Sequence, residues 1–134
     1  MTPEAKFWEW MRPKLAINSG IHLLRIENST GRGTPDLNIC LNGIEIWVEL
    51  KVADPQYRTR IRKEQNVFGI KRSLAGGRAF VISLQPDECI SIWRYPMESV
   101  PDKEYRIITD NNYFICDKDT FDNQHVLHFL FHKP

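Results

Sequence analysis

From Ile44 to Val52 apolar and polar positions alternate without interruption, so Ile44, Ile46, Val48, Leu50 and Val52 share one face of a strand and Glu45, Trp47, Glu49 and Lys51 the other. Asn42-Gly43, just before it, is a strong two-residue hairpin signal and predicts that residues 36–41 form the preceding strand. Upstream, Phe7, Trp8, Met11 and Leu15 recur at helical spacing. Thr2 and Pro3 stand as N-cap and first helical residue, and Asn18-Ser19-Gly20 as the stop. Pro13 predicts a kink or break in that helix. Residues 22–27 read as a short strand and residues 28–34 as a loop rich in Ser, Thr and Gly. Residues 58–74 carry Ile61, Val67, Phe68, Ile70 and Leu74 in a broken helical pattern that ends at Gly76-Gly77, before the apolar strand 79–82. Strand, crossover helix, strand implies parallel pairing. Further on, residues 89–94, 105–109 and 113–116 read as strands and 120–132 as a terminal helix, with short linkers at 85–88 and 96–102. Periodicity alone gives a mixed α/β domain.

Composition narrows the class. At 134 residues with 42% hydrophobic content, the chain can bury one core and is expected to form a single domain, 1–134. The net charge of +1 offers no global sign of a polyanionic partner, but the distribution is uneven. Between Lys51 and Arg78 eight basic residues face two acidic ones, a local excess of +6, whereas residues 98–124 hold seven acidic and three basic residues, an excess of −4. No apolar run approaches the roughly 20 residues of a membrane span, and no leader-like segment opens the chain. Cys40, Cys89 and Cys116 are odd in number, lack C-x-x-C spacing and sit beside apolar residues, which predicts buried free thiols in a reducing compartment. A soluble cytoplasmic protein is expected.

The candidate chemistry lies in Gly33-Thr34-Pro35-Asp36 and Val48-Glu49-Leu50-Lys51. Alternation projects Glu49 and Lys51 side by side, and the hairpin brings Asp36 to the adjoining strand. Two carboxylates and an amine can hold a hard divalent cation against a phosphodiester, with the Leu50 carbonyl as a further oxygen ligand. Lys51 is then placed to lower the pKa of an attacking water or to stabilise charge on phosphate. The plainer reading of Glu49 and Lys51 is a same-face ion pair of little energetic weight. Asp36, arriving on a glycine-containing loop, favours the site.

Pro35-Asp36 followed by Glu49-Leu50-Lys51 resembles the PD-(D/E)xK nuclease superfamily. The longer run of Arg25-Ile26-Glu27-Asn28, Gly33-Thr34-Pro35-Asp36, Glu49-Leu50-Lys51 and Glu64-Gln65 resembles its phage-encoded, VRR-NUC-like and Holliday-junction-resolvase-like members. The resemblance extends to about residue 84. It implies a restriction-endonuclease-like core, α-β-β-β-α-β, with a central mixed β-sheet flanked by helices, spanning 1–84, and leaves 85–134 as a C-terminal extension. It further implies an Mg²⁺- or Mn²⁺-dependent DNA endonuclease with Asp36, Glu49 and Lys51 at its centre. Glu4 from the first helix, with Glu9 as the fallback, and Gln65 from the helix after the Lys51 strand would be auxiliaries. The plainer roles are a first-turn glutamate complementing the helix dipole and a solvated glutamine. Branched or duplex DNA, Holliday junctions foremost, is the implied substrate, in the host cytoplasm if the chain is phage-encoded. The alternative is a non-catalytic DNA-binding or scaffolding module on the same fold.

Arg58, Arg62 and Gln65 are expected close together on one helix surface, with Arg72 further along. Arg25 and Arg32 flank the loop before Asp36. All five arginines are candidate phosphate contacts; the plain alternative is a solvated face. Asn28 and Thr34 read as loop caps, and Trp8, Trp10, Trp47 and Trp93 as core or interface residues. His125, His128 and His132 have i, i+3, i+7 spacing but no fourth ligand, so surface histidines are expected rather than a zinc site. Paired incision of a two-fold junction would require two sites, hence a homodimer. Phe121, Val126, Leu127, Phe129, Leu130 and Phe131 could pack either on the core or on a second protomer.

Overall fold

Thr2 opens helix α1 (Pro3–Leu15) by accepting the Ala5 N–H on its hydroxyl at 3.1 Å, and the proline at the first position gives up no intrahelical bond. The structure, a computed structural model, describes residues 1–17, 20–26, 33–96 and 113–132. Phe7, Trp8, Met11 and Leu15 form the buried face of α1 as their spacing predicts. The helix is not broken at Pro13, which lies in its last turn; it ends two residues later.

Six strands form one sheet: β1 (His22–Arg25), β2 (Leu37–Leu41), β3 (Ile44–Val52), β4 (Arg78–Leu84), β5 (Cys89–Arg94) and β6 (Tyr113–Asp117). They lie in chain order, all neighbours antiparallel except β3 and β4. That parallel pair is joined by helix α2 (Lys63–Leu74), as the strand-helix-strand pattern implies. The β2–β3 turn carries Asn42 at φ 52° and Gly43 at φ 78°, the left-handed pair that a tight hairpin requires. The strand expected at 105–109 lies outside the described residues.

One sheet face is the core. Leu37, Ile39, Ile46, Val48, Leu50, Phe80, Ile82, Ile90 and Ile92 pack there with the buried side of α1 and with Val126, Leu127, Leu130 and Phe131 of helix α3 (Asn123–Phe131). The apolar tail therefore packs on the same sheet rather than presenting this face outward. Arg78 and Arg94 donate to the Phe131 and Phe129 carbonyls at the end of α3, satisfying acceptors that a helix C-terminus leaves open. Trp8 is buried and Trp10, Trp47 and Trp93 are half-buried, in keeping with packing roles.

The opposite face is covered by α2, and here sequence and structure part. The helix starts at Lys63 rather than at residue 58, so Arg58 lies in the preceding turn and Arg62 is the N-cap; the expected helical cluster of Arg58, Arg62 and Gln65 does not form. Its buried positions are Gln65, Asn66 and Gly69, while Val67 and Leu74 of the expected apolar stripe are exposed. Half-buried Phe68 packs edge-on against Trp47, with ring centroids 5.6 Å apart, and Gly69 lets the Tyr95 ring approach the helix backbone. The strand face beneath α2 is mixed, apolar at Ala79 and Val81 and polar at Glu49 and Lys51, so the helix buries polar and small side chains beside Ile70 and its apolar period is obscured.

Cys40, Cys89 and Cys116 are free, as expected, but half-buried rather than buried. Burial pushes the Cys116 thiol up to about 11, so it stays protonated. Among the described residues no helix is long and apolar enough to cross a membrane.

Candidate active site

The alternation in β3 sends Val48 and Leu50 into the core and Glu49 and Lys51 to the α2 side. Asp36, just before β2, is fixed from both neighbours: its carbonyl accepts the Ile26 N–H at 2.7 Å, and its Oδ2 accepts the Leu50 N–H at 2.8 Å. The hairpin thus locks the Asp36 carboxyl onto the backbone between Glu49 and Lys51. Asp36, Glu49 and Lys51 come together as their positions in the strands imply.

Glu49 is buried, at 6% exposure. Gln65 holds it from α2: the Gln65 amide donates to Glu49 Oε1 at 2.5 Å, while its own oxygen accepts the Arg62 N–H at 2.9 Å. That second bond fixes which way the amide points, so its NH₂ faces the carboxylate. Lys51 Nζ lies 3.9 Å from the same Oε1. Glu49 Oε2 is buried without a hydrogen-bond partner, which is costly for a carboxylate. Burial first, and the like charge of Asp36 second, push the Glu49 carboxyl up to about 8, against the lowering effects of Lys51 and Arg62. Burial also pulls the Lys51 amine below its ordinary value, opposed by Glu49 and Asp36.

Two adjacent carboxylates, one with a buried oxygen left unpaired, fit a hard divalent cation, whose charge would offset both the burial and their mutual repulsion. Asp36 and Glu49 would hold it. Among the described residues no group of three or more His, Cys, Asp or Glu side chains is arranged for a metal. The Glu4 charge favours the protonated Lys51 amine, more weakly than Glu49 and Asp36 do.

The fold is similar to that of a Holliday junction resolvase. The solved structure is Archaeoglobus fulgidus Hjc, described as a Holliday junction resolvase from an archaeal hyperthermophile; the match covers 78% of this chain and 84% of that one, with a TM-score of 0.56 and 11% sequence identity. At that identity the likeness is one of fold, and it establishes the restriction-endonuclease-like α/β architecture expected from the motifs. No family model and no curated protein matches the sequence.

Of the candidate phosphate contacts, Arg25 is exposed at the end of β1 and Arg62 is exposed at the start of α2, where its charge reaches both Glu49 and Lys51. Arg72 lies over the Trp47 and Phe68 rings, 5.5 and 5.1 Å from their centroids. Arg58 is paired with Asp54. Arg32 and Asn28 lie outside the described residues, as does Glu27 of the resembling run. His125, His128 and His132 are exposed, the last two stacked on one another 4.3 Å apart.

Sequence reasoning passed over two residues, Asn38 and Ser83, and the packing role of a third, Gly33. Asn38, buried on β2 opposite Trp47, leaves its Nδ2 unpartnered; its signal was a polar residue two positions on from Asp36 in an apolar strand. Ser83, registered against Lys51, shares a 2.7 Å hydrogen bond with Thr59 beneath the β3–α2 connection, and its signal was a hydroxyl in the apolar run of β4. Gly33 has φ 88°, and an added Cβ would fall against the Glu64 carbonyl, so the loop into Asp36 rests on the first turn of α2. Gly76 has a similar φ of 89° but open space around it. Gly33→Ala is therefore expected to lower stability by about 2 kcal/mol or more, against about 1 kcal/mol for Gly76→Ala. Thermal melts of the two variants check this; equal losses would contradict the packing of Gly33 on α2.

Proposed function

We propose that this chain is a metal-dependent DNA endonuclease that hydrolyses phosphodiester bonds in branched DNA, Holliday junctions foremost. The observation that carries the reading is the buried, partly unpaired Glu49 carboxylate set beside Asp36 and within 3.9 Å of Lys51. The fold shared with a Holliday junction resolvase supports the substrate class.

In this reading Asp36 and Glu49 bind Mg²⁺ or Mn²⁺, with the Leu50 carbonyl as a further oxygen. When bound, the cation supplies charge stabilisation at phosphate and a more acidic water. Gln65 holds the Glu49 carboxyl in one orientation. Lys51 meets the phosphate with a proton on Nζ, and Glu4 favours that protonated state. Arg62, at the mouth of the site, takes a non-bridging phosphate oxygen, while Arg25, Arg58 and Arg72 serve flanking phosphates and so position DNA without reading its sequence. Cutting both strands of a two-fold junction calls for a homodimer.

The test is cleavage of end-labelled four-way junction, flap, linear duplex and single-stranded DNA by wild type and Lys51→Ala. The expected result is preferential junction cutting, lost by about a hundredfold or more in Lys51→Ala. Equal cutting of all four substrates would remove the branched-DNA specificity, and DNA binding without any cutting would favour the non-catalytic module.

A further inference from the structure

Beyond Lys51 the chain closes into a stiff turn over residues 54–58. Asp54 Oδ1 accepts the N–H groups of Gln56 and Arg58 at 2.9 and 3.0 Å; the Asp54 carbonyl accepts the Tyr57 N–H at 2.9 Å, and the Asp54 N–H donates to the Arg58 carbonyl at 3.0 Å. Asp54 Oδ2 also lies 3.0 Å from Arg58 Nε and 3.6 Å from Arg60 Nε. The turn is anchored to the end of β4 by the Ala53 N–H, which donates to the Leu84 carbonyl at 2.8 Å. It stands at the same end of the sheet as Lys51, whose register partner is Ser83.

At its tip Tyr57 has φ 64°. The other left-handed positions among the described residues carry Gly, Asn or Glu, so this is the one place where a bulky ring occupies backbone that disfavours it. The ring gains little burial in return: Tyr57 is 55% exposed, and it makes no aromatic contact among the described residues. Glycine would fit the backbone better. An exposed aromatic on a hydrogen-bonded turn, with Arg58 and Arg60 beside it in the chain and the Lys51 end of β3 leading into it, has the composition of a base-stacking platform flanked by phosphate contacts.

We infer that Tyr57 stacks on an unpaired or unstacked nucleobase at the branch point of DNA, and so selects branched over continuous duplex substrate. This rests on the nuclease reading for its substrate, but its test is binding rather than cleavage. Tyr57→Gly removes the ring while relieving the backbone, and Tyr57→Phe keeps the ring. Fluorescence anisotropy in EDTA would compare a four-way junction with a linear duplex of the same sequence, and 2-aminopurine at the branch point would report stacking. Tyr57→Gly is expected to lose about tenfold of the junction preference and the 2-aminopurine quenching, while Tyr57→Phe retains both. An unchanged junction-to-duplex ratio in Tyr57→Gly, an equal loss on both DNAs, or no junction preference in wild type would overturn the inference. A wild type that prefers junctions yet never cuts them would refute the nuclease reading alone.

Discussion

Asp36→Asn is expected to reduce cleavage by about a thousandfold or more while leaving the fold intact. The asparagine oxygen can still accept the Leu50 N–H, so the anchor that joins the loop to β3 survives. What disappears is one of the two negative charges available to a cation. Single-turnover cleavage together with a thermal melt separates the two effects. A variant that melts like wild type but does not cut supports Asp36 as a ligand, whereas near-wild-type cutting would remove it from the site. Asp36→Ala would be less informative, because it also leaves the Leu50 amide without its acceptor.

Glu49→Gln is expected to stabilise the metal-free protein at alkaline pH. The glutamine oxygen can keep the hydrogen bond from Gln65. In wild type the carboxyl ordinarily titrates at 4.5 but is pushed up to about 8 in the folded chain. Between those values the folded state binds the proton that the unfolded state has released, so stability falls as pH rises through this window. Below it both states are neutral at Glu49, and above it the full penalty applies, on the order of 5 kcal/mol. Glu49→Gln removes that penalty, so its melting temperature in EDTA should exceed wild type's at pH 8.5 and match it near pH 4. Adding Mn²⁺ should raise the wild-type melting temperature by mass action and leave the variant's nearly unchanged. A variant less stable than wild type at pH 8.5 in EDTA would mean that the Glu49 charge is already compensated within the protein, which would contradict its assignment as a cation ligand.

Both effects trace to a conflict visible in the packing. Gln65, Asn66 and Gly69 are the buried residues of α2; Gln65 holds Glu49, while Gly69 meets the Tyr95 ring of a small apolar cluster with Ala79 and Val81. Local pattern and global fold disagree at such a place, as is common where a site sits on a scaffold. The strict alternation of β3, the Asn42-Gly43 turn and the spacing of Phe7, Trp8, Met11 and Leu15 were legible because each is a local pattern that the packing keeps. So was the convergence of Asp36, Glu49 and Lys51, which follows from hairpin geometry once the strands are placed.

The start of α2 was not legible. Arg58, Arg60 and Arg62 read as helix formers, yet Asp54 draws Arg58 and Arg60 into the turn before the helix. Glu4 lies on α1, where its charge favours the protonated Lys51 amine, after the larger effects of burial, Glu49 and Asp36. The tail was ambiguous in sequence because Val126, Leu127, Leu130 and Phe131 suit a core or an interface equally well, and only the sheet they meet decides between the two.

The account stands or falls on whether this site cuts DNA with a metal. The most direct measurement is single-turnover cleavage of a labelled four-way junction by the wild-type chain in Mg²⁺, then in excess EDTA, then with Mg²⁺ restored. Paired incision near the branch that stops in EDTA and resumes with the metal is the expected result. Incision that continues in EDTA, or a junction left intact at every metal concentration, would contradict it.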